Sequence, residues 1–379
     1  MRQIYLDYNA TTPIAPMVLD AMNPFFTGHY GNPSSAHSLG RGAREAIEDA
    51  RAKVGNLLGC DADEVVFTGG GTEANNLAIK GVMFSHPPAS GHLIISAIEH
   101  AAVTEPANFL QRLGYDVTIV PCNENGVVQA DHIEAAIRPT TRLVSIMHAN
   151  NEIGTVQPIR AIAAACHRHS VLVHTDASQS VGKLPTQVEQ LDVDLLTVAG
   201  HKFYGPKGVG ALYVRRGVAL ESLLHGAGHE NGFRAGTENT PYIVGLGQAC
   251  FMAAKGLDDS SVGMARLRER IADQLSESIP GIHVNGGAVD RLPNTLSVSF
   301  PKVGGREILA RANEICASTG SACHSSGRIE SATLSAMGKS QDHIAGTIRL
   351  SVGWFTSQDE VDKACSILID AWEVLSEGR

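Results

Sequence analysis

Leu195-Leu196-Thr197-Val198-Ala199-Gly200-His201-Lys202-Phe203-Tyr204-Gly205-Pro206 joins an apolar run to a turn punctuated by glycine and proline, with one amine between them. Residues 195–198 read as a buried strand. An amine that such a strand delivers into a constrained turn is held in one place and partly desolvated. Desolvation disfavours the ammonium form, so Lys202 becomes a nucleophile able to form a Schiff base with an aldehyde. A nucleotide-binding phosphate loop does not fit the same stretch. Gly200 to Gly205 has the glycine spacing, but Pro206 stands where that loop needs its lysine.

Working outward, residues 65–68, 93–97, 117–120, 143–147, 171–175, 195–198 and 209–214 are further strand candidates. Ala43, Ile47, Ala50, Val54 and Leu58 recur at helical spacing, and 131–137 and 159–167 also read as helices. Strands alternating with helices predict an α/β fold with a mostly parallel seven-stranded sheet covered on both faces. Ligands of such sheets bind at strand ends. A composition shift at Gly256-Leu257-Asp258-Asp259-Ser260-Ser261-Val262-Gly263 predicts a hinge into a smaller α/β C-terminal domain.

Two more stretches define the chemistry expected of Lys202. Val171-Leu172-Val173-His174-Thr175-Asp176-Ala177-Ser178-Gln179 reads as a buried strand ending in an acid, with an amide three residues on. An aldehyde cofactor with a pyridine ring, pyridoxal 5'-phosphate (PLP), needs a carboxylate that keeps its ring nitrogen protonated. Asp176 suits that role. Gly69-Gly70-Gly71 links strand 65–68 to a helix opening at Thr72-Glu73-Ala74-Asn75. Strand, glycine turn and helix N-terminus offer free N–H groups and a positive dipole end to a phosphate. Read alone, the stretch is equally an ordinary turn capped by Thr72.

Taken in order, these motifs resemble the NifS/IscS-type (group I) cysteine desulfurases of the class V aminotransferase superfamily. The resemblance also rests on Leu6-Asp7-Tyr8-Asn9-Ala10-Thr11-Thr12, Gly31-Asn32-Pro33-Ser34-Ser35, Glu99-His100, Ala149-Asn150-Asn151-Glu152-Ile153-Gly154, Arg234-Ala235-Gly236-Thr237-Glu238-Asn239 and Thr347-Ile348-Arg349-Leu350-Ser351. Arg138-Pro139-Thr140-Thr141-Arg142-Leu143-Val144 and Arg291-Leu292-Pro293-Asn294-Thr295 are similar to selenocysteine lyase. It implies the fold-type I aminotransferase architecture, with residues 14–257 as the large PLP-binding domain. Residues 1–13 and 258–379 would form the small domain.

The resemblance implies that Lys202 carries PLP as a Schiff base and moves protons. Asp176 would pair with the ring nitrogen, Gln179 with the ring hydroxyl, and His100 would stack on the ring and, as a catalytic residue, move protons. Phosphate contacts would come from Gly71, Thr72 and His201, and from Thr237 of the other subunit of a homodimer. Asn151 and Arg349 would bind the substrate carboxylate, the guanidinium bidentately. The family usually has a serine three positions before the lysine. This chain has Ala199, so one hydroxyl is missing and Thr197 or a water would have to compensate.

Of seven cysteines, Cys323 has the most open setting, Ala317-Ser318-Thr319-Gly320-Ser321-Ala322-Cys323-His324-Ser325-Ser326-Gly327. Small residues around it predict a mobile loop, with His324 placed to help form the thiolate. Cys166, Cys250 and Cys365 lie in apolar helical patterns and read as packing residues. The implied reaction takes sulfur from L-cysteine onto Cys323 as a persulfide, releases L-alanine, and passes the sulfur to a protein acceptor. L-selenocysteine is an alternative substrate; other PLP aminotransferases or β-lyases, and a non-catalytic scaffold, are alternative readings.

Composition narrows the remaining classes. A net charge of −9 with no lysine-arginine block argues against direct nucleic-acid binding. An odd number of cysteines without a Cys-x-x-Cys pair gives no disulfide framework, and scattered histidines predict no metal. No apolar stretch reaches membrane-spanning length, and the start Met1-Arg2-Gln3-Ile4 has no signal-peptide pattern, so the expected location is the cytoplasm.

Overall fold

The computed structural model describes residues 3–320 and 331–377. A seven-stranded sheet runs in the order Val65–Thr68, Gly210–Val214, Leu195–Ala199, Leu172–Asp176, Thr141–Ser145, His92–Ser96, Asp116–Val120. Gly210–Val214 is antiparallel to both neighbours, and the other pairings are parallel. All seven predicted strands are present, each displaced by no more than two residues. They were legible because helices cover both faces, so the central strands are continuous apolar runs. The edge strand Asp116–Val120 is the exception: its first residue and Ile119 face solvent.

Helix Ser38–Leu58 buries Ala43, Ile47, Ala50, Val54 and Leu58 along one stripe and ends at Gly59, whose φ of 69° makes a left-handed cap. The helices Ala130–Ala136 and Ile159–His167 also lie where expected.

A second apolar core gathers Ile4, Leu6, Met264, Ile271, Leu275, Leu296, Ile348 and Leu350 under a three-stranded antiparallel sheet. That sheet is Thr347–Ser351, Thr295–Ser299 and His283–Val284, and Ile4–Tyr5 pairs in parallel with Ile315–Cys316 nearby. The main core extends along the chain to Ala253, while the second takes up Met264.

The passage between lobes expected at 256–263 falls within a helix, between a main core that ends at Ala253 and a second that takes up Met264. One helix, Thr240–Ser278, runs unbroken through it for 39 residues. A glycine in a helix costs only about 1 kcal/mol. Packing at both ends of the helix outweighs that cost, and its Asp- and Ser-rich middle is partly exposed, with Ser261 Oγ donating to the Lys183 carbonyl at 2.7 Å. No described helix is long and apolar enough to cross a membrane.

Candidate active site

The central strand Leu195–Ala199 ends in the short helical turn Gly200–Lys202. A Cβ on Gly200 would press on two backbone oxygens, 3.1 Å from that of Val209 and 3.2 Å from that of Pro206. Tyr204 holds a left-handed φ of 69° against its steric cost. Its N–H donates to Thr12 Oγ1 at 2.7 Å and its ring stacks on Trp354 at 3.9 Å. The turn therefore aims Lys202 into the space between the cores, where Nζ donates to the carbonyls of Asn9 (2.7 Å) and Ala10 (2.9 Å). Burial, then the Arg349 charge, pushes the amine down to about 8, partly offset by Asp176 and Asp7.

The neighbouring strand Leu172–Asp176 ends in its acid. Asp176 Oδ2 accepts from Asn75 Nδ2 at 2.6 Å and Oδ1 accepts from the Ser178 N–H at 2.9 Å. Gln179 Nε2 donates to the Asn9 carbonyl at 3.0 Å, the same oxygen that takes Lys202. Among the described residues, Gln179 Oε1 and Asn75 Oδ1 are buried without a hydrogen-bond partner.

Gly69–Gly71 turns tightly beside this. Gly70 has φ 142°, and Gly210 packs so closely on it that a Cβ there would lie 2.8 Å from the Gly70 carbonyl carbon. Helix Gly71–Phe84 then opens with Gly71 and an exposed Thr72. His201 Nδ1 bonds Thr11 Oγ1 at 3.1 Å; burial, then nearby lysines led by Lys202, push its imidazole down to about 4.

His100 caps helix Ala101–Arg112, its Nδ1 accepting from the Ala102 N–H at 3.1 Å. The ring reaches solvent at the mouth of the site, and the protein packed around it pushes its pKa down, with Asp176 opposing and Lys202 adding to the shift. Thr237 is exposed just before helix Thr240–Ser278, and no hydrogen bond within the chain ties it to Gly71 or Thr72.

On the other side stands Arg349, 6% exposed, in strand Thr347–Ser351. Nη2 donates to Asp7 Oδ1 at 2.7 Å, Nη1 donates to the Asn151 carbonyl at 2.9 Å, and Nε is buried without a partner among the described residues. Asn151 thus meets Arg349 through its backbone. Cys323 lies outside the described residues. The described chain on either side of it is anchored next to Arg349: the Arg349 N–H donates to the Ser318 carbonyl at 2.6 Å, and Ser331 Oγ donates to Glu152 Oε2 at 2.5 Å.

Sequence reasoning missed Asp7, Asn9, Asn75, Ser178 and Lys183 as members of this constellation. Lys183 is fully enclosed, donates to the Gln179 carbonyl at 2.9 Å, and is pushed down to about 7 by burial and then by Lys202. Its one local signal was its position one helical turn after Gln179.

These residues fit PLP. A depressed amine shares the Asn9 carbonyl with Gln179, Asn75 holds the acid, and both amides keep a buried oxygen without a partner among the described residues; a glycine at the helix entrance leaves space that a Cβ would fill, 3.0 Å from Ser178 Oγ and 3.1 Å from Ala199 Cβ. A family model described as aminotransferase class V matches residues 4–364. The chain belongs to that family. Within it, the chain is 43% identical over 369 residues to cysteine desulfurase IscS of Dictyoglomus turgidum, covering 97% of this chain and 94% of the relative. Among solved structures, a NifS-like protein matches with a TM-score of 0.91 at 38% identity, covering 99% of both chains. A second, described as SspA in complex with cysteine, matches with a TM-score of 0.84 at 39% identity over 93% of this chain and 99% of that one. This class V aminotransferase is an enzyme whose relatives over almost its whole length are named cysteine desulfurases.

Proposed function

We propose that the chain is a PLP-dependent cysteine desulfurase that converts L-cysteine to L-alanine and leaves a persulfide on Cys323 for a protein acceptor. The observation that carries this is the Lys202 amine, depressed to about 8, enclosed with Asp176 on one side and Arg349 on the other. Lys202, Asp176, Gln179, His100, Asn151, Gly71, Thr72 and His201 would hold the cofactor, joined by Thr237 of a second subunit in a homodimer. When bound, PLP supplies the electron sink that stabilises negative charge at the substrate α-carbon.

The residues divide the remaining work. Arg349 binds the substrate carboxylate in exchange for Asp7, which fixes the amino acid across the site. Lys202, uncharged in half its population near pH 8, accepts the α-proton at Nζ and later returns it. His201 and His100, both pushed toward the neutral form, add no positive charge that would compete with that proton. The Cys323 thiolate attacks the substrate sulfur: the new sulfur–sulfur bond forms as the carbon–sulfur bond breaks, and the carbon takes a proton, so cysteine plus thiol yields alanine plus persulfide.

This reading treats residues 14–257 as the cofactor lobe and 1–13 with 258–379 as the lobe bearing Arg349 and Cys323. It includes a cytoplasmic setting and no direct contact with nucleic acid or membrane. The test is alanine release by Cys323→Ala, with mass spectrometry of the intact chain after exposure to cysteine. Loss of turnover on L-cysteine, with one extra sulfur on wild type only, is expected. Unchanged turnover on cysteine would overturn the nucleophile, and faster turnover on L-selenocysteine than on cysteine would make the protein a selenocysteine lyase.

A further inference from the structure

Ala199 leaves the phosphate side of the site one hydroxyl short. Thr197 does not make up the loss, because its Oγ1 is bonded to His174 Nε2 at 3.1 Å, inside the sheet. His174 is tied in turn to Ser145 Oγ at 2.8 Å. Turning Thr197 outward would strand a buried imidazole nitrogen.

A different hydroxyl stands at the right place. The point where a Cβ on Gly71 would lie is 3.0 Å from Ser178 Oγ and 3.1 Å from Ala199 Cβ. The side chains of 178 and 199 therefore converge on the first residue of helix Gly71–Phe84, whose free N–H groups and dipole favour an anion. Ser178 is held there by its own N–H, which donates to Asp176 Oδ1 at 2.9 Å. Among the described residues its hydroxyl makes no hydrogen bond, so it is free to donate.

We propose that Ser178 is a cofactor-binding residue that gives its hydroxyl to the PLP phosphate in place of the serine absent at 199. The two positions exchange roles across one point in space: the hydroxyl reaches the helix entrance from the turn after Asp176 instead of from the turn before Lys202. This rests on the PLP reading above, and it makes the acid and one phosphate donor parts of a single three-residue turn. Binding of ring and phosphate is thereby coupled, because displacement of Asp176 also moves Ser178.

The experiment measures dissociation constants of PLP and of pyridoxal, which lacks the phosphate, by visible absorbance of the full-length chain. The variants are Ser178→Ala, Ala199→Ser and the double Ser178→Ala/Ala199→Ser. Losing one hydrogen bond to a charged group predicts that Ser178→Ala weakens PLP by about 10- to 100-fold. Pyridoxal affinity should stay within about twofold, since only the phosphate contact is removed. Ala199→Ser should restore PLP affinity in the double variant. Should Ser178→Ala fail to fold, Ser178→Cys keeps the volume with a much weaker donor and is expected to show the same selective loss. Equal PLP binding by wild type and the Ser178 variant, or equal loss of PLP and pyridoxal, overturns the assignment of Ser178 alone. A wild-type chain that binds no PLP overturns the function on which it rests.

Discussion

Glu230→Ala should lower the melting temperature by about 5 °C, through a buried ion pair the sequence does not announce. Glu230, its side chain 2% exposed, takes Arg51 Nη1 at 2.7 Å, Nη2 at 2.8 Å and the Phe67 N–H at 2.7 Å. Burial alone would push the Arg51 guanidinium down, and the Glu230 hydrogen bonds and charge more than reverse it. Removing one partner of such a pair costs about 3–5 kcal/mol, because the other charge is left buried. Arg51 would keep the Val65 carbonyl at 2.8 Å and the exposed Glu48 at 3.2 Å, which softens its loss. The Phe67 N–H would have no acceptor, adding about 1 kcal/mol or more. A total near 4 kcal/mol, divided by an unfolding entropy of about 0.8 kcal/mol/K for a chain of 379 residues, gives a fall of about 5 °C. Calorimetry of the full-length protein measures it. The double variant Arg51→Met/Glu230→Leu, which removes both charges, should recover most of the loss. A fall under about 1 °C for Glu230→Ala, or a double variant no better than the single, would refute the charge argument and leave side-chain packing as the cause. Phe67 precedes the Gly69–Gly71 turn by two residues, so the ion pair also steadies the strand that presents the phosphate cradle.

Arg349→Lys keeps the charge but not the fork, so KM for L-cysteine should rise about 10- to 100-fold with a smaller change in kcat and an unchanged PLP absorbance. An unaltered KM in steady-state assays would show that the carboxylate binds elsewhere. The rate at which the cofactor-stripped chain takes up PLP should climb with pH through about 8 and level off above it, since only the neutral Lys202 amine attacks the aldehyde and lowering its pKa brings that form in earlier. Arg349→Ala removes a charge that lowers the Lys202 pKa and should move this limb to higher pH. Asp7→Asn should move it lower, and limbs that shift the opposite way in stopped-flow traces would contradict the assigned electrostatics.

What could be read from the sequence follows the range of the forces involved. Strands 65–68 and 195–198 were legible because burial on both faces leaves an unmixed apolar run, and Lys202, Asp176 and Gly71 because each sits within four residues of a strand end. The partners were not legible. Asp7 and Arg349 are 342 residues apart, and Asn75 and Asp176 are 101 apart, so no local period connects them. At 256–263 the composition marks the stretch between the cores that hold Ala253 and Met264 but not the helix that spans it, because those cores hold both ends against the local weakness of Gly and Asp. Ala199 was visible as a departure, yet its counterpart Ser178 lies 21 positions away in sequence and meets it only because parallel strands Leu172–Asp176 and Leu195–Ala199 are adjacent.

The N-terminal segment joins these observations into one arrangement. Asn9 spends its whole polar complement on fixing its own carbonyl: its N–H donates to Ser351 Oγ at 2.9 Å, Nδ2 donates to Thr295 Oγ1 at 2.8 Å, and Oδ1 accepts from Asn294 Nδ2 at 3.0 Å. The carbonyl so fixed receives both Lys202 and Gln179. Two residues earlier, Asp7 holds Arg349. The two basic side chains that the proposed chemistry uses are therefore spaced by one short peptide pinned to the small sheet. A substrate carboxylate reaches Arg349 by replacing one carboxylate with another, so the guanidinium never faces a low-dielectric interior unpaired, and the binding energy is a difference between two similar ion pairs. Asp7 holds the guanidinium through one oxygen, so what the substrate gains on exchange is the second hydrogen bond of a fork, the part that Arg349→Lys removes.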